Sequence, residues 1–178
     1  MRRRLQLTGA VALVALLGVV GAAIAGSGGH SISERLTGYQ EVPAVSTGAS
    51  GKFEAKFSRF GDTLRYRLSY RDLEGDVQQA HIHLGQERVN GGIIVWLCGN
   101  PSATITPPAG TPTCPASPAT VTGEIGPEDV VGPTGQGIEL GEFDEFVDAV
   151  EAGVTYANVH SSRFPGGEIR AQLDEHRH

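Results

Sequence analysis

Three histidines carry the chemistry this sequence is best equipped to perform. In His81-Ile82-His83 two imidazoles stand two residues apart. On a β-strand that spacing sends both from one face, about 6.5–7 Å apart along the chain. Ala80, Ile82 and Leu84 take the other face, which is apolar, so the segment reads as a strand with one side in a core. In Tyr156-Ala157-Asn158-Val159-His160 the same rule puts Tyr156, Asn158 and His160 on one face and Ala157 and Val159 on the other. If the two strands are neighbours in a sheet, His81, His83 and His160 converge without help from a loop. Neutral imidazole suits copper or zinc and a rigid strand fixes its approach, so the implied chemistry is a single transition-metal site. A fourth position would fall to His30, Glu168, His176, His178 or water, and Glu168 and Asn158 are placed to orient the imidazoles. His30, His176 and His178 belong to terminal segments expected to be flexible. Imidazoles with the ordinary pKa of about 6.5 would release such a metal as pH falls from about 7 to 5. The competing reading is structural: paired strand histidines often bond to backbone or carboxylates and bind nothing.

Cys98 and Cys114 are the only cysteines and flank a stretch rich in Pro and Gly. In an oxidising compartment they should pair, and closing a loop of about 15 residues contributes roughly 3 kcal/mol. No Gly-X-Ser-X-Gly elbow, phosphate-cradling Gly loop or free Cys nucleophile is present, so no residue is singled out as catalytic.

Period-2 patterns supply the elements that must position these residues. Phe53, Ala55 and Phe57 alternate with charged residues, and after Phe60-Gly61-Asp62 the alternation resumes with Leu64, Tyr66, Leu68 and Tyr70. This is a β-hairpin with one buried face. Further strands are expected at Val77–Leu84, Ile93–Leu97 (buried on both sides), Ala119–Ile125, Thr155–Ser161 and Glu168–Leu173. Pro165-Gly166-Gly167 predicts a tight turn needing positive φ, after which Ile169, Ala171 and Leu173 enter the core while Glu168, Arg170 and Gln172 point away. Between Asn100 and Thr134 lie eight of the ten prolines, which predicts an irregular crossover rather than a packed element. Phe143, Phe146, Val147 and Val150 recur at helical spacing, with Gly153 as the stop, so one short surface helix is expected. The fold class is therefore all-β: an antiparallel sandwich or barrel-like Greek key of about seven to nine strands, with one helix and one disulfide.

The chain opens with Arg2-Arg3-Arg4, then runs uncharged from Gly9 to Ala25 and ends that run on Ala23-Ile24-Ala25. This predicts a signal peptide over residues 1–25, cut after Ala25, and a protein that works outside the cytoplasm, secreted or in the cell envelope. Cleavage would leave no membrane span. It would also shift the net charge from −6 to −9, which disfavours nucleic acid as a partner. Residues 26–34 are expected as a flexible segment, 35–174 as one domain and 175–178 as a tail. Charge is uneven: Lys52 to Arg71 carries six basic residues against Glu54 and Asp62, whereas Glu124 to Glu151 carries nine acids and no base. The basic hairpin is either a solvated face that discourages edge pairing or a docking face for an acidic partner.

Four blocks are specific enough to suggest a family: Leu36-Thr37-Gly38-Tyr39-Gln40-Glu41-Val42-Pro43-Ala44-Val45; Ala80-His81-Ile82-His83-Leu84-Gly85 with Asn90-Gly91; Tyr156-Ala157-Asn158-Val159-His160; and Pro165-Gly166-Gly167-Glu168-Ile169-Arg170-Ala171-Gln172-Leu173. In this order they resemble the CHRD domain, repeated in chordin and found singly in bacterial secreted proteins. The resemblance implies an extracellular module whose partner is an unknown protein or ligand. The strand histidines are also similar to those of Cu/Zn superoxide dismutase, but His81, His83 and His160 do not make a bridged two-metal set. Three functions stay open: a non-enzymatic binding module with a copper or zinc site, a copper oxidoreductase, and a purely structural envelope or adhesion module.

Overall fold

The computed structural model describes residues 31–176 apart from Ala103, so the expected signal peptide, His30 and His178 lie outside the described residues. Nine strands form one antiparallel sheet: β1 (Ser31–Thr37), β2 (Ser50–Phe57), β3 (Leu64–Arg71), β4 (Val77–Leu84), β5 (Ile93–Gly99), β6 (Ala119–Ile125), β7 (Thr155–Ser161), β8 (Ile169–Leu173) and β9 (Glu175–His176). Eight of them follow the order β5-β4-β7-β8-β1-β2-β3-β6, and β9 pairs with β1. The sheet curls into a nearly closed barrel. Across its interior the Tyr66 hydroxyl donates to the Leu97 carbonyl at 2.6 Å, joining β3 to β5.

The barrel forms because each strand has an apolar side to bury. On β2 and β3, Phe53, Ala55 and Phe57 face Leu64, Tyr66, Leu68 and Tyr70 in the interior, all buried, while Lys52, Lys56, Arg65 and Arg67 stand outside. The hairpin turn is closed by Ser58, whose hydroxyl donates to the Asp62 carboxylate and accepts from the Asp62 N–H. Gly61 takes positive φ there.

The one α-helix among the described residues, α1 (Phe143–Glu151), buries Phe143, Phe146, Ala149 and Val150. It ends as a Schellman motif: Val154 N–H bonds to the Ala149 carbonyl, Gly153 N–H bonds to the Val150 carbonyl, and Gly153 takes φ 67°. That left-handed residue turns the chain directly into β7, the strand that carries His160.

Three expectations need correction. Residues 31–34 are not a flexible lead-in: they belong to β1, held between β2 and β8 with β9 beside its start. Glu175 and His176 likewise add β9 rather than beginning a free tail. The Pro-rich crossover is irregular but packed: Ile105 and Cys114 are buried, Gly99 N–H bonds to the Pro112 carbonyl and Tyr70 donates to the Pro115 carbonyl. Backbone groups of β5 and side chains of β3 find partners in this segment, so proline richness did not exclude packing. The Cys98–Cys114 disulfide ties the end of β5 to the middle of this segment.

Candidate metal centre

β4 and β7 are neighbours, with His81 opposite Asn158, His83 opposite Tyr156 and Gln79 opposite His160. The arrangement brings His81, His83 and His160 together on the outer face of the barrel wall, one ligand nitrogen from each lying within 4.8 Å of the others. The β4–β5 ladder slips between Ala80 and His81 and again between Ile82 and His83. Such irregularities re-aim the side chains beside them. Here they set Trp96 of β5 edge-on against His81, with ring centroids 4.2 Å apart.

Hydrogen bonds fix which nitrogens are available. His160 Nδ1 lies 2.9 Å from the Pro165 carbonyl and His83 Nδ1 lies 2.9 Å from the Gly91 carbonyl. A carbonyl only accepts, so both rings carry their proton on Nδ1 and turn the Nε2 lone pair inward. His160 Nε2 stands 3.2 Å from His81 Nδ1 and 3.1 Å from Asn158 Oδ1. The Nε2 atoms of His81 and His83 are buried and have no hydrogen-bond partner. Two imidazole nitrogens bound tetrahedrally at about 2.0–2.1 Å would be about 3.3 Å apart, so the His81–His160 pair already has a ligand-like separation.

The trio is also held neutral. Burial pushes His81 down to about 2, with His160 and His83 adding to the effect. Burial likewise brings His83 down to about 4 and lowers His160. A neutral imidazole needs no proton removed before it can act as a ligand.

The surroundings lock the rings in place. Tyr156 lies flat against His83 at 4.7 Å with planes 1° apart, and the Arg170 guanidinium sits 3.4 Å from the Tyr156 centroid. Arg170 is 1 % exposed and donates to Asn90 Oδ1 and to the Gln86 and Val89 carbonyls, fastening the 85–92 loop over the strands. Asn90 donates onward to the Val42 carbonyl and so ties in the segment after β1. Gly91, whose carbonyl orients His83, has no room for a side chain, because a Cβ would penetrate the Leu84 carbonyl. Gly167 takes φ 126°, as the Pro165-Gly166-Gly167 turn predicted, and a Cβ there would meet the Glu41 carboxylate.

Asn158 stands where it was expected, beside the imidazoles. Glu168 does not reach them by any described contact: its Oε1 accepts from the Thr47 hydroxyl and the Glu74 N–H. Arg170 and Glu168 do point away from the barrel core, but both are buried beneath loops and engage different ones. Sequence reasoning missed Glu41 and Trp96 as neighbours of the site, whereas Tyr156 was placed on the face of Asn158 and His160. Glu41 is 6 % exposed, within hydrogen-bonding reach of Asn158, and pushed by burial up to about 7 against the pull of Arg170. Its place in the Leu36–Val45 block was the only signal available.

A family model for the CHRD domain matches residues 32–173, which spans β1 through β8 and every residue of this centre. No curated protein and no solved structure matches the chain. With the match covering most of its length, the chain belongs to the CHRD-domain family.

Proposed function

We propose that this protein is an extracytoplasmic, non-enzymatic binding module that holds one copper or zinc ion through His81, His83 and His160, with residues 1–25 as a removable export signal. One observation carries the metal reading: a nitrogen from each of His81, His83 and His160 lies within 4.8 Å of the others, and His83 Nε2, an acceptor because its Nδ1 proton is held by Gly91, is buried with no partner among the described residues. Leaving a buried acceptor unsatisfied costs about 1–3 kcal/mol, a cost that a bound cation would remove. Pro165 and Gly91 hold the His160 and His83 rings by their Nδ1 protons. The CHRD family and the Cys98–Cys114 disulfide support an extracellular setting. Among the described residues, no helix is long and apolar enough to cross a membrane.

Trp96 makes the reading testable, because it is the only tryptophan and touches His81. Cu(II) added to the purified, metal-stripped protein should quench its fluorescence at one equivalent, Zn(II) should compete without comparable quenching, and protein from the exported fraction should carry about one ion per chain. Absence of both bound metal and micromolar quenching would remove the proposal. The three imidazoles are 1–8 % exposed, which leaves little path for a substrate. The copper-loaded protein should therefore dismutate superoxide no faster than aquated copper, and faster turnover would favour the oxidoreductase reading.

A further inference from the structure

The other half of the barrel wall carries a surface that the metal reading does not use. On β1, β2, β3 and β6 the outward residues fall into rows across the sheet: Ser31-Lys56-Arg65-Glu124, Ser33-Glu54-Arg67-Thr122, Arg35-Lys52-Ser69-Thr120 and Thr37-Ser50-Arg71. Every one of these residues is polar. Arg35, Lys52, Lys56, Arg65, Arg67 and Arg71 are opposed on the face only by Glu54 and Glu124, leaving a surplus of +4 on a chain of net charge −6. The two acids pair with Lys52 and Arg65 at 2.6 and 2.8 Å. Among the described residues, Arg35 and Lys56 have no acidic partner.

One end of this face is concave. A groove of about 610 Å³ is lined by Arg35, Lys52 and Arg71 together with the hydroxyl-bearing Ser50, Ser69 and Thr120. Three cationic groups and three hydroxyls make a site for anionic oxygens in a hydroxyl-rich ligand. From the Lys56–Arg65 row to Arg71 the face runs about 20 Å at roughly 3.3–3.4 Å per residue, longer than a single small anion occupies. The one aromatic residue lining the groove, Tyr70, is only 2 % exposed, so no platform of rings is offered for bases to stack on, which argues against single-stranded nucleic acid. Apolar surface is confined to Pro118 and Ala119 at the groove edge and to Phe60 at the hairpin tip, isolated positions rather than the contiguous cluster that anchors a membrane or protein interface.

We propose that the outer face of β1, β2, β3 and β6 binds an acidic polysaccharide, with its carboxylate or sulfate groups seated in the groove of Arg35, Lys52 and Arg71. This does not depend on the metal centre. Lys52 and Lys56 are the only lysines in the chain, and both lie on this face, so acetylation of the purified protein read by mass spectrometry reports on it directly. The probes are polygalacturonate, dextran sulfate and neutral dextran. Polygalacturonate, dextran sulfate or both should slow acetylation of both lysines several-fold, neutral dextran should not, and added salt should reverse the protection. The Arg35→Ser/Arg71→Ser double variant should lose about tenfold or more in affinity for the protecting polymer, by removing two groove cations. The charge-matched Arg88→Ser/Arg163→Ser variant should bind like the parent. All four positions are exposed, and thermal unfolding checks that each variant folds. Unprotected lysines, equal protection by neutral dextran, or equal loss in the charge-matched variant would each overturn the proposal. So would full competition by inorganic phosphate at matched charge, which marks a single-anion pocket, or tighter protection by single-stranded DNA.

Discussion

The two halves of the barrel wall turn nearly identical sequence patterns into opposite environments. On β2 and β3 the outward side chains are charged and meet water; Arg65 and Arg67 are exposed. On β4, β7 and β8 the outward side chains are also polar, yet His81, His83, Asn158, His160 and Arg170 are all buried. The difference comes from what lies above. The segment after β1, the 85–92 loop and the Pro165–Gly167 turn fold over the second half, and their carbonyls become the partners that hold His83, His160 and Arg170 in place. Alternation therefore says which residues leave the core, and loops decide which of those leave water. Buried polar groups demand satisfied partners, and in this half the buried Nε2 atoms of His81 and His83 lack one, as do buried oxygens of Glu41, Thr155, Glu168 and Gln172.

The largest effect should come from breaking the contrast at its two arginines. Arg170→Ala should destabilise the fold by about 3 kcal/mol or more, since it strands the Asn90, Gln86 and Val89 acceptors and leaves the Glu41 carboxyl without its counter-charge. Arg67→Ala, exposed on the other half, should change stability by no more than about 0.5 kcal/mol. Chemical denaturation of both variants measures the gap, and similar losses would show that the covered half is not special.

The disulfide should come next. Replacing Cys98 and Cys114 with Ser frees a loop of sequence separation 16 and should cost roughly 3 kcal/mol, read from denaturation midpoints. The metal-free centre should change little, because the disulfide lies at the β5 end of the crossover and not among the site contacts.

Acid should then distinguish the halves without mutation. His81 and His83 hold their protons less tightly in the fold, at about 2 and about 4, than the ordinary 6.5 of an unfolded chain. Below about pH 6.5 the unfolded state takes up protons that the folded state refuses, so stability falls as pH drops toward 4. Glu41 acts in the opposite sense. Its folded value of about 7 exceeds the ordinary 4.5, so its contribution is complete below 4.5 and is lost as pH rises through 7. Thermal melts of the apo protein should show the acid loss, and a His81→Gln/His83→Gln variant should flatten it. A parent protein equally stable at pH 4 and pH 7 would contradict the buried, neutral imidazoles.

The smallest effect expected is at Glu41. Glu41→Gln keeps the shape and removes the cost of a buried carboxylate, so it should raise stability by up to about 1 kcal/mol at pH 8 and not at pH 5. A loss at both pH values would mean that the ionised carboxylate is needed beside Arg170.

Much of this was legible in the residues. Spacing alone put His81 and His83 on one face and Tyr156, Asn158 and His160 on another, and Gly153 and Gly167 marked a helix stop and a turn that both use positive φ. β1 was missed because Ser31-Ile32-Ser33-Glu34 has too few apolar positions to announce a strand, and its pairing comes from neighbours distant in sequence. The burial of Glu41 and Arg170 was hidden for a related reason: their partners lie in loops, and no periodicity encodes how a loop folds back. The expected metal release between pH 7 and 5 rested on ordinary imidazole values, because spacing does not encode how deeply the rings are covered.

The most direct test of the metal centre is calorimetry of Cu(II) and Zn(II) binding to the mature protein and to His81→Ala, His83→Ala and His160→Ala, at pH 7, 6 and 5. One ion per chain should bind tighter than about 10 μM, each substitution should remove a similar large share of the affinity, and affinity should hold nearly level down to about pH 5, since His81 and His83 are already unprotonated there. Binding weaker than about 10 μM, or a His160→Ala protein that binds as well as its parent, would mean that the three imidazoles are structural and the proposed metal centre is wrong.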